Sequence, residues 1–343
     1  MPICRAWQPA QVCDRTVACY TFENLAFGTG VISLERLKSY LGWKVDYAVP
    51  EGEPAFAAPD SMSWRVFKNP IALAIGGVAA VLLEFADARI RSGVWDHSVF
   101  KTDPIGRSQR TGTAAMVGVY GPQSAARRVI RGITNMHSKV KGTTPSGEAY
   151  TALDVDLLDW VSATANFGFL TAYDRFVKPV SYDDKCRFYE EGDQVARLYG
   201  VKHPIRSPED FDAMLAALMP RFEPHPINAE FLDMVKSGNE LKSVPKALQS
   251  SLANASVSIL PVNVREVLEL GPEYDLSPLA RMSLKSLGAL ADRIPVKSLP
   301  PAQAAIRLGL PWTFAWKPPA SQQRILQTIP ELKNASPARP PAE

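Results

Sequence analysis

The sequence has few of the residues that build most metal and redox sites. Among 343 residues there are only four histidines and four cysteines. The cysteines, Cys4, Cys13, Cys19 and Cys186, form no CxxC pair and no CxxCH motif. The first absence excludes zinc-ribbon and thioredoxin-type sites, and the second excludes covalent attachment of a haem. Any metal or cofactor chemistry must therefore rest on isolated side chains.

Neither positive nor negative charge is in large excess. The net charge is only +3, with 38 basic and 35 acidic residues, so we expect no nucleic-acid partner. The first residues lack the basic and apolar regions of a secretory signal, and we expect a cytoplasmic protein. The most apolar run, residues 71–85, contains Gly76, Gly77 and Glu84 and is short for a bilayer. It predicts a buried helix, and no transmembrane segment is expected.

The distribution of helix signals divides the chain into four parts. Residues 1–64 predict an irregular extension with one helix at 34–41, and residues 65–240 carry the long helical patterns of a core. Residues 241–330 predict shorter, proline-punctuated helices that pack on this core, and residues 331–343 predict a disordered tail. Because strand signals are scarce, the expected fold class is all-α.

Capping residues predict where the core helices begin. Asn69 with Pro70 predicts a helix that continues to about residue 91. Residues 93–106 have the composition of a loop, and Gly121 with Pro122 predicts a helix to about residue 139. Four more helices are predicted to start at Asp154, Ser181, Ser207 and Asn228. The first two are predicted to run to about residues 176 and 199.

One short segment concentrates cations and a hydroxyl. The sequence contains no GxSxG, HExxH or P-loop motif, so the common catalytic templates are excluded. If residues 107–111 are helical, Arg107, Arg110 and Thr111 project to one side. Such a trio can stabilise an oxyanion or polarised dioxygen, because guanidinium groups stay charged at any working pH. A solvated arginine pair with a helix cap is the alternative, and spacing alone does not decide.

His137 follows this segment on the apolar face of a predicted helix. Ala126, Ile130, Ile133 and His137 recur at spacings of four, three and four, so they share one face. A neutral imidazole in an apolar pocket suits haem iron, with its second nitrogen bonded to a backbone carbonyl. The alternative is a histidine that packs in the core with its hydrogen bonds formed and binds no metal. The same helix carries Arg127 and Arg131, which could receive haem propionates or simply form a solvated face.

An ordered series of motifs resembles a known family. It comprises IALAIGGVAAVLLEFADARIRSGVWDHSVFKTDPIGRSQRT, then HSKVKG, then GEAYTALDVDLLDWVSATANFGFLTAYDRF. The series resembles the catalytic domain shared by latex-clearing protein, a rubber oxygenase, and the fungal mycophenolic-acid-pathway oxygenase MpaB. It covers about residues 65–240, with a looser likeness beyond.

The resemblance implies an all-α, globin-like helical core, with additional helices, around a non-covalent b-type haem. His137 matches the proximal histidine, and Arg107 and Thr111 match the distal arginine and threonine. Arg110 stands where latex-clearing members have a lysine that can ligate the iron. Because arginine is a poor ligand, we expect a distal site that is empty or holds water. The family's acidic base cannot be chosen from Glu84, Asp87 and Asp96.

The leading hypothesis is a haem b-dependent oxygenase with dioxygen as co-substrate and an apolar, in one version isoprenoid, small molecule as substrate. Its reaction would be oxidative cleavage of a carbon-carbon double bond, as the resemblance implies. Arg107, Arg110 and Thr111 would act on dioxygen, and His137 would bind the iron. The alternatives are a haem- or lipophile-binding helical module without turnover and a purely structural helical domain.

Overall fold

The computed structural model describes residues 39–40, 43–98, 104–237 and 246–329. These residues form fifteen α-helices and two short hairpins, which confirms the all-α prediction. The helices are α1 Met62–Phe67, α2 Pro70–Phe85, α3 Ala88–His97, α4 Pro104–Tyr120, α5 Gln123–His137, α6 Val155–Phe176, α7 Tyr182–Glu191, α8 Asp193–Tyr199, α9 Pro208–Leu218, α10 Ile227–Ser237, α11 Lys246–Ser258, α12 Val262–Val267, α13 Pro278–Ala291, α14 Pro300–Arg307 and α15 Pro319–Gln327.

The hairpins are small and antiparallel. In the first, β1 Ser39–Tyr40 pairs with β2 Trp43–Lys44, and in the second, β3 Lys141–Thr143 pairs with β4 Ala149–Thr151. The predicted helix at 34–41 is wrong at its end, where the chain forms β1 instead. Its earlier residues, like Cys4, Cys13, Cys19 and the predicted tail at 331–343, lie outside the described residues. Cys186 is a free thiol.

An antiparallel pair of helices, α2 and α6, forms the centre of the molecule. The two backbones touch at Gly76 and Gly168: a Cβ on Gly168 would lie 2.4 Å from the Gly76 carbonyl oxygen. Further along, the Trp160 indole donates to the Leu83 carbonyl at 3.2 Å. Helices α1, α3, α11 and α13 also pack against α2, and most of its side chains are buried. The prediction of a buried apolar helix is confirmed.

Local capping chemistry explains three of the helix starts that the sequence predicted, those at Asn69, Ser181 and Ser207. The Asn69 side chain accepts from the amides of Ile71 and Ala72, both at 3.1 Å, and Pro70 is the first residue of α2. Ser181 and Ser207 accept from the amides three residues later, at the starts of α7 and α9. Helix α6 begins after Asp154, whose carboxylate instead binds Thr151.

Three boundaries were predicted wrongly. The helix from Asn69 was expected to reach residue 91, but it ends at Phe85, and Asp87 caps a new helix. The break coincides with a backbone bridge from Asp87 to Phe222, a contact that local sequence does not encode. The loop expected at 93–106 is helical at both ends, in α3 and α4. The helix expected from Ser181 to residue 199 is divided at Gly192.

Two buried cations join the C-terminal helices to the rest. The Lys68 ammonium lies 2.9 Å from the Asp292 carboxylate, just after α13. Arg307, only 1% exposed, donates to three backbone carbonyls, those of Glu53 at 2.7 Å, Tyr47 at 2.5 Å and Tyr120 at 2.9 Å. Since a buried charge is costly without such partners, these bonds fix α14 against the loop before α1 and the end of α4.

The contact between α2 and α6 gives a stability prediction. Replacing Gly76 with alanine puts a methyl group 2.7 Å from the backbone of Gly168, so one helix must shift. We expect Gly76→Ala to lower the free energy of unfolding by about 2 kcal/mol, within the range for overpacking. Denaturant unfolding monitored by circular dichroism measures the change.

Gly77→Ala is the matched control. Its added methyl group would meet only the Phe169 ring, at 3.8 Å, which is an ordinary contact. Alanine is the better helix former, so this variant should be neutral or more stable by up to about 1 kcal/mol. Equal effects of the two substitutions would contradict a backbone contact between α2 and α6.

Candidate active site

A single carboxyl group lies on the central helix pair. Glu84 is the only charged residue of α2, and its Oε1 lies 3.4 Å from the Thr164 hydroxyl on α6. The same hydroxyl lies 2.9 Å from the Val161 carbonyl. The hydroxyl has one proton, which it shares as donor between the Val161 carbonyl and the Glu84 carboxyl.

Burial controls the protonation state of Glu84. Protein surrounds the carboxyl and raises its pKa to about 7, while the charge of Arg107 and the Thr164 hydroxyl oppose this effect only in part. The residue nevertheless keeps partial solvent accessibility. Near neutral pH this carboxyl exchanges its proton, which is the property that an acid-base catalyst needs.

The predicted trio Arg107, Arg110 and Thr111 lies in the first half of α4. The segment is helical, which was the condition for placing the three side chains on one side. The two arginines are half-buried and Thr111 is exposed. The Thr111 hydroxyl donates to the Arg107 carbonyl at 3.2 Å, so in this structure it is engaged with its own helix.

His137 is the last residue of α5. Ala126, Ile130 and Ile133 of the same face are buried, and His137 is half-buried. Burial lowers the pKa of the imidazole, and the positive charge of Arg107 lowers it further. The ring is therefore neutral at pH 7. The carbonyl bond expected for its second nitrogen is not present: no described residue forms a hydrogen bond with the ring.

Arg107 connects these groups electrostatically. It lowers the pKa of both Glu84 and His137, so it lies within reach of both. Yet α2 has its main contacts with α6, α11 and α13, whereas α5 has its main contacts with α4 and α8. Glu84 and His137 thus come from separately packed groups of helices, with Arg107 near both. We call Glu84, Arg107 and His137 the central polar cluster.

The structure distinguishes the three acids among which the sequence could not choose. Asp87 is buried and binds the Arg89 guanidinium at 2.8 Å while capping α3, so its role is structural. Asp96 is exposed near the end of α3. Only Glu84 belongs to the cluster. Its position as the one charge in an apolar helix was the signal that could have found it, whereas nothing local marks Thr164.

The two arginines predicted to bind propionates lie elsewhere. Arg127 and Arg131 are exposed, and with Arg128 and Ser124 they line an open groove of about 330 Å³ on the outer side of α5. Arg127 also lies over the Phe56 ring, 5.0 Å from its centroid. The structure does not bring these arginines together with His137, and their role toward a cofactor stays a prediction.

The remaining histidines lie away from this cluster. His203 is 79% exposed and contacts Asp159 at 2.8 Å, while His225 accepts from the Ile227 amide at 3.2 Å. His97 is exposed at the end of α3. In the part of the chain that the structure describes, no three histidine, cysteine or acidic side chains group as metal ligands. His137 is therefore the one half-buried imidazole of the described residues.

The site is that of a helical protein in which the charge of Arg107 acts on both a half-buried histidine and a carboxyl whose pKa is raised by burial. The family model for the catalytic domain of ER-bound oxygenase mpaB/B' and rubber oxygenase matches residues 64–322. Because this range covers most of the chain, the protein belongs to that family of oxygenase catalytic domains. The matched range runs through α13 and α14 as well as the predicted core. Neither a curated protein nor a solved structure matches the chain.

Membrane crossing was not expected from the sequence. Among the helices of the described residues, none combines the length and the apolar composition needed to cross a bilayer.

The raised pKa of Glu84 predicts a pH dependence of stability. In the unfolded chain the carboxyl ionises near its ordinary pKa of 4.5, but in the folded protein only near 7. Between these values the folded state binds more protons, so stability falls as pH rises from about 4.5 to 7 and then levels off. The loss is about 3 kcal/mol if the full difference in pKa is expressed.

Unfolding of the cofactor-free protein at several pH values, compared with Glu84→Gln, measures this contribution. Because glutamine cannot ionise, the stability of the wild type relative to Glu84→Gln should fall steadily as pH rises over this range. Asp96→Asn, at an exposed acid, is the control and should leave the pH profile unchanged. A Glu84→Gln profile parallel to that of the wild type would contradict a raised pKa.

Proposed function

We propose that this protein is a haem b-dependent oxygenase that acts on an apolar substrate, with isoprenoids as the first candidates. One observation carries the proposal: in a chain of this oxygenase family, the neutral imidazole of His137 and the Glu84 carboxyl share the influence of Arg107. The globin-like character of the helical core is part of the same proposal.

The donor set fits a haem. His137 is half-buried, neutral at pH 7 and without a hydrogen-bond partner among the described residues, so its lone pair is available to iron. Val81 and Val161, three residues before Glu84 and Thr164, are partly buried and pack against the hydrophobic core. When bound at His137, haem would supply the iron centre at which dioxygen binds and reacts.

The protein's own residues would supply charge and proton transfer. Arg107 and Arg110 keep their charge at any working pH and can stabilise negative charge that develops on an oxygen atom. Thr111 can add a hydroxyl donor once it leaves the Arg107 carbonyl. Arg110 stands where the resemblance expects a lysine that can ligate iron, and because arginine is a poor ligand it would contribute charge and not a bond to the iron.

Glu84 is assigned the acid-base role. Its pKa of about 7 allows it to take a proton from an allylic carbon and to return it, while the Thr164 hydroxyl donates to the carboxyl. The nearby charge of Arg107 keeps the ionised form accessible. These groups suit oxidative cleavage of a carbon-carbon double bond, the reaction that we propose.

Haem binding is tested by spectroscopy. Protein expressed with haem available should show a Soret band, and the band of the reduced protein should shift when carbon monoxide is added. His137→Ala should abolish or severely weaken it, because the described residues offer no second half-buried imidazole. His225→Ala, at an exposed histidine, is the control and should keep the full band. A colourless wild type after haem reconstitution would refute the proposal.

Turnover is tested by oxygen consumption with squalene and with an unsaturated fatty-acid ester. We expect uptake by the haem-loaded protein, and a loss of roughly 10²–10⁴-fold in Glu84→Gln, the usual contribution of a general acid-base group. The Soret band should be retained in that variant. Haem without oxygen uptake over a broad substrate panel would instead support a haem- or lipophile-binding module.

A further inference from the structure

Helix α13 turns an apolar side toward solvent. Its inner side, Leu284, Gly288 and Ala291, is buried, and a Cβ on Gly288 would lie 2.3 Å from the Phe176 carbonyl oxygen at the end of α6. The helix therefore packs closely against the core along that side. The opposite side carries large apolar residues that are exposed.

These residues form one continuous stripe. Leu279, Met282 and Leu290 are 70%, 62% and 50% exposed. With Ser286 they recur at spacings of three, four and four, so they share one face of the helix. We call Leu279, Met282, Ser286 and Leu290 the α13 ridge. Single exposed apolar residues are ordinary, but three on one ridge of a surface helix indicate a contact surface.

Cations accompany the ridge and acids do not. The side chains of Arg281, Lys285 and Arg293 make no hydrogen bond or ion pair with any described residue, and α13 contains no acidic residue. The acids nearest to α13 in the sequence are ion-paired elsewhere: Asp275 with Arg265 at 2.7 Å and Asp292 with Lys68 at 2.9 Å. The surface around the ridge is therefore positive.

A polar groove lies at the start of α13. Ser258, Arg265, Ser277 and Arg281 are among its lining residues, and its volume is about 520 Å³. Arg265 is held by Asp275 and two carbonyls, whereas Arg281 is unpaired among the described residues. Arg281 follows Leu279 by only two residues, so it lies toward the other side of α13 from the ridge, and the groove is not part of the ridge surface.

We propose that the α13 ridge docks on an anionic lipid surface. A helix with apolar residues on its outer side and lysine or arginine along its flanks lies in the boundary between headgroups and acyl chains. Leu279, Met282 and Leu290 would enter this boundary, and the exposed Lys285 and Arg293 would contact lipid phosphates. A second copy of the chain is the less suitable partner, because a two-fold contact would bring these unpaired cations against each other.

This inference does not rest on the proposed oxygenase function. Docking needs neither haem nor the central polar cluster, so it can be tested with cofactor-free protein. Failure of vesicle binding would leave the oxygenase proposal untouched, and a colourless protein could still dock.

The test is co-sedimentation of the full-length protein with vesicles. We expect binding to vesicles of phosphatidylcholine mixed with phosphatidylserine, and much weaker binding to phosphatidylcholine alone. Binding should fall between about 0.1 M and 1 M salt, as the Debye length shrinks from ~10 Å to ~3 Å. The variant with Leu279→Ser, Met282→Ser and Leu290→Ser should bind at least about tenfold more weakly. Lys285→Glu combined with Arg293→Glu should remove the preference for anionic lipid.

Val155→Ser is the control for an exposed apolar residue. Val155 is 39% exposed and lies at the far end of α6 from Phe176, about 30 Å away along the helix, so vesicle binding should not change. Circular dichroism and sedimentation velocity accompany each variant. Wild-type protein that stays in the supernatant with both vesicle types overturns the proposal, and so does a triple variant that still binds fully. A lipid-independent dimer that the triple variant dissolves assigns the ridge to a second copy and overturns it as well.

Discussion

The close contact of Gly76 with Gly168 sets the geometry on which the site depends. With no side chain on either residue, the backbones of α2 and α6 touch, and the two helices stay in register as they run in opposite directions. Two turns beyond Gly76 along α2, roughly 12 Å, this register brings Glu84 to Thr164 of α6. A wider spacing would separate the carboxyl from its only described hydroxyl partner and admit water. The burial that raises the pKa of Glu84 therefore begins with two glycines.

Charge is distributed so that each group of the cluster is held in a useful protonation state. Burial alone would keep Glu84 protonated and His137 neutral. The charge of Arg107 lowers the pKa of both groups: for the histidine it adds to the effect of burial, and for the acid it opposes the effect of burial. One fixed cation thus favours an imidazole with a free lone pair and a carboxyl that can still ionise. The outer arginines of α5 are exposed, and solvent screens them from this balance.

Local chemistry made the sequence informative where a feature is set within a few residues. Asn69, Ser181 and Ser207 cap helices in the predicted manner, and the spacing from Ala126 to Ile133 identified the buried face that ends at His137. The break at Asp87 was missed because it depends on Phe222, far away in sequence. Glu84 could not be chosen over Asp87 and Asp96, since only the approach of Thr164 and Arg107 distinguishes it. The family resemblance assigned roles to positions in the sequence. It could not predict that the Thr111 hydroxyl donates to the Arg107 carbonyl.

The α2–α6 pair also keeps Glu84 far from the α13 ridge. Helix α13 packs where α2 starts and α6 ends, with the Asn69 side chain donating to the Gly288 carbonyl at 2.9 Å. Glu84 lies fifteen residues further along α2, roughly 22 Å away. Substitutions on the outer side of α13 thus leave Glu84 and Thr164 in place, and a change at Glu84 leaves the ridge in place. The two ends of one rigid helix pair can be changed independently, so a defect in vesicle binding and a defect in oxygen uptake identify different surfaces of the molecule.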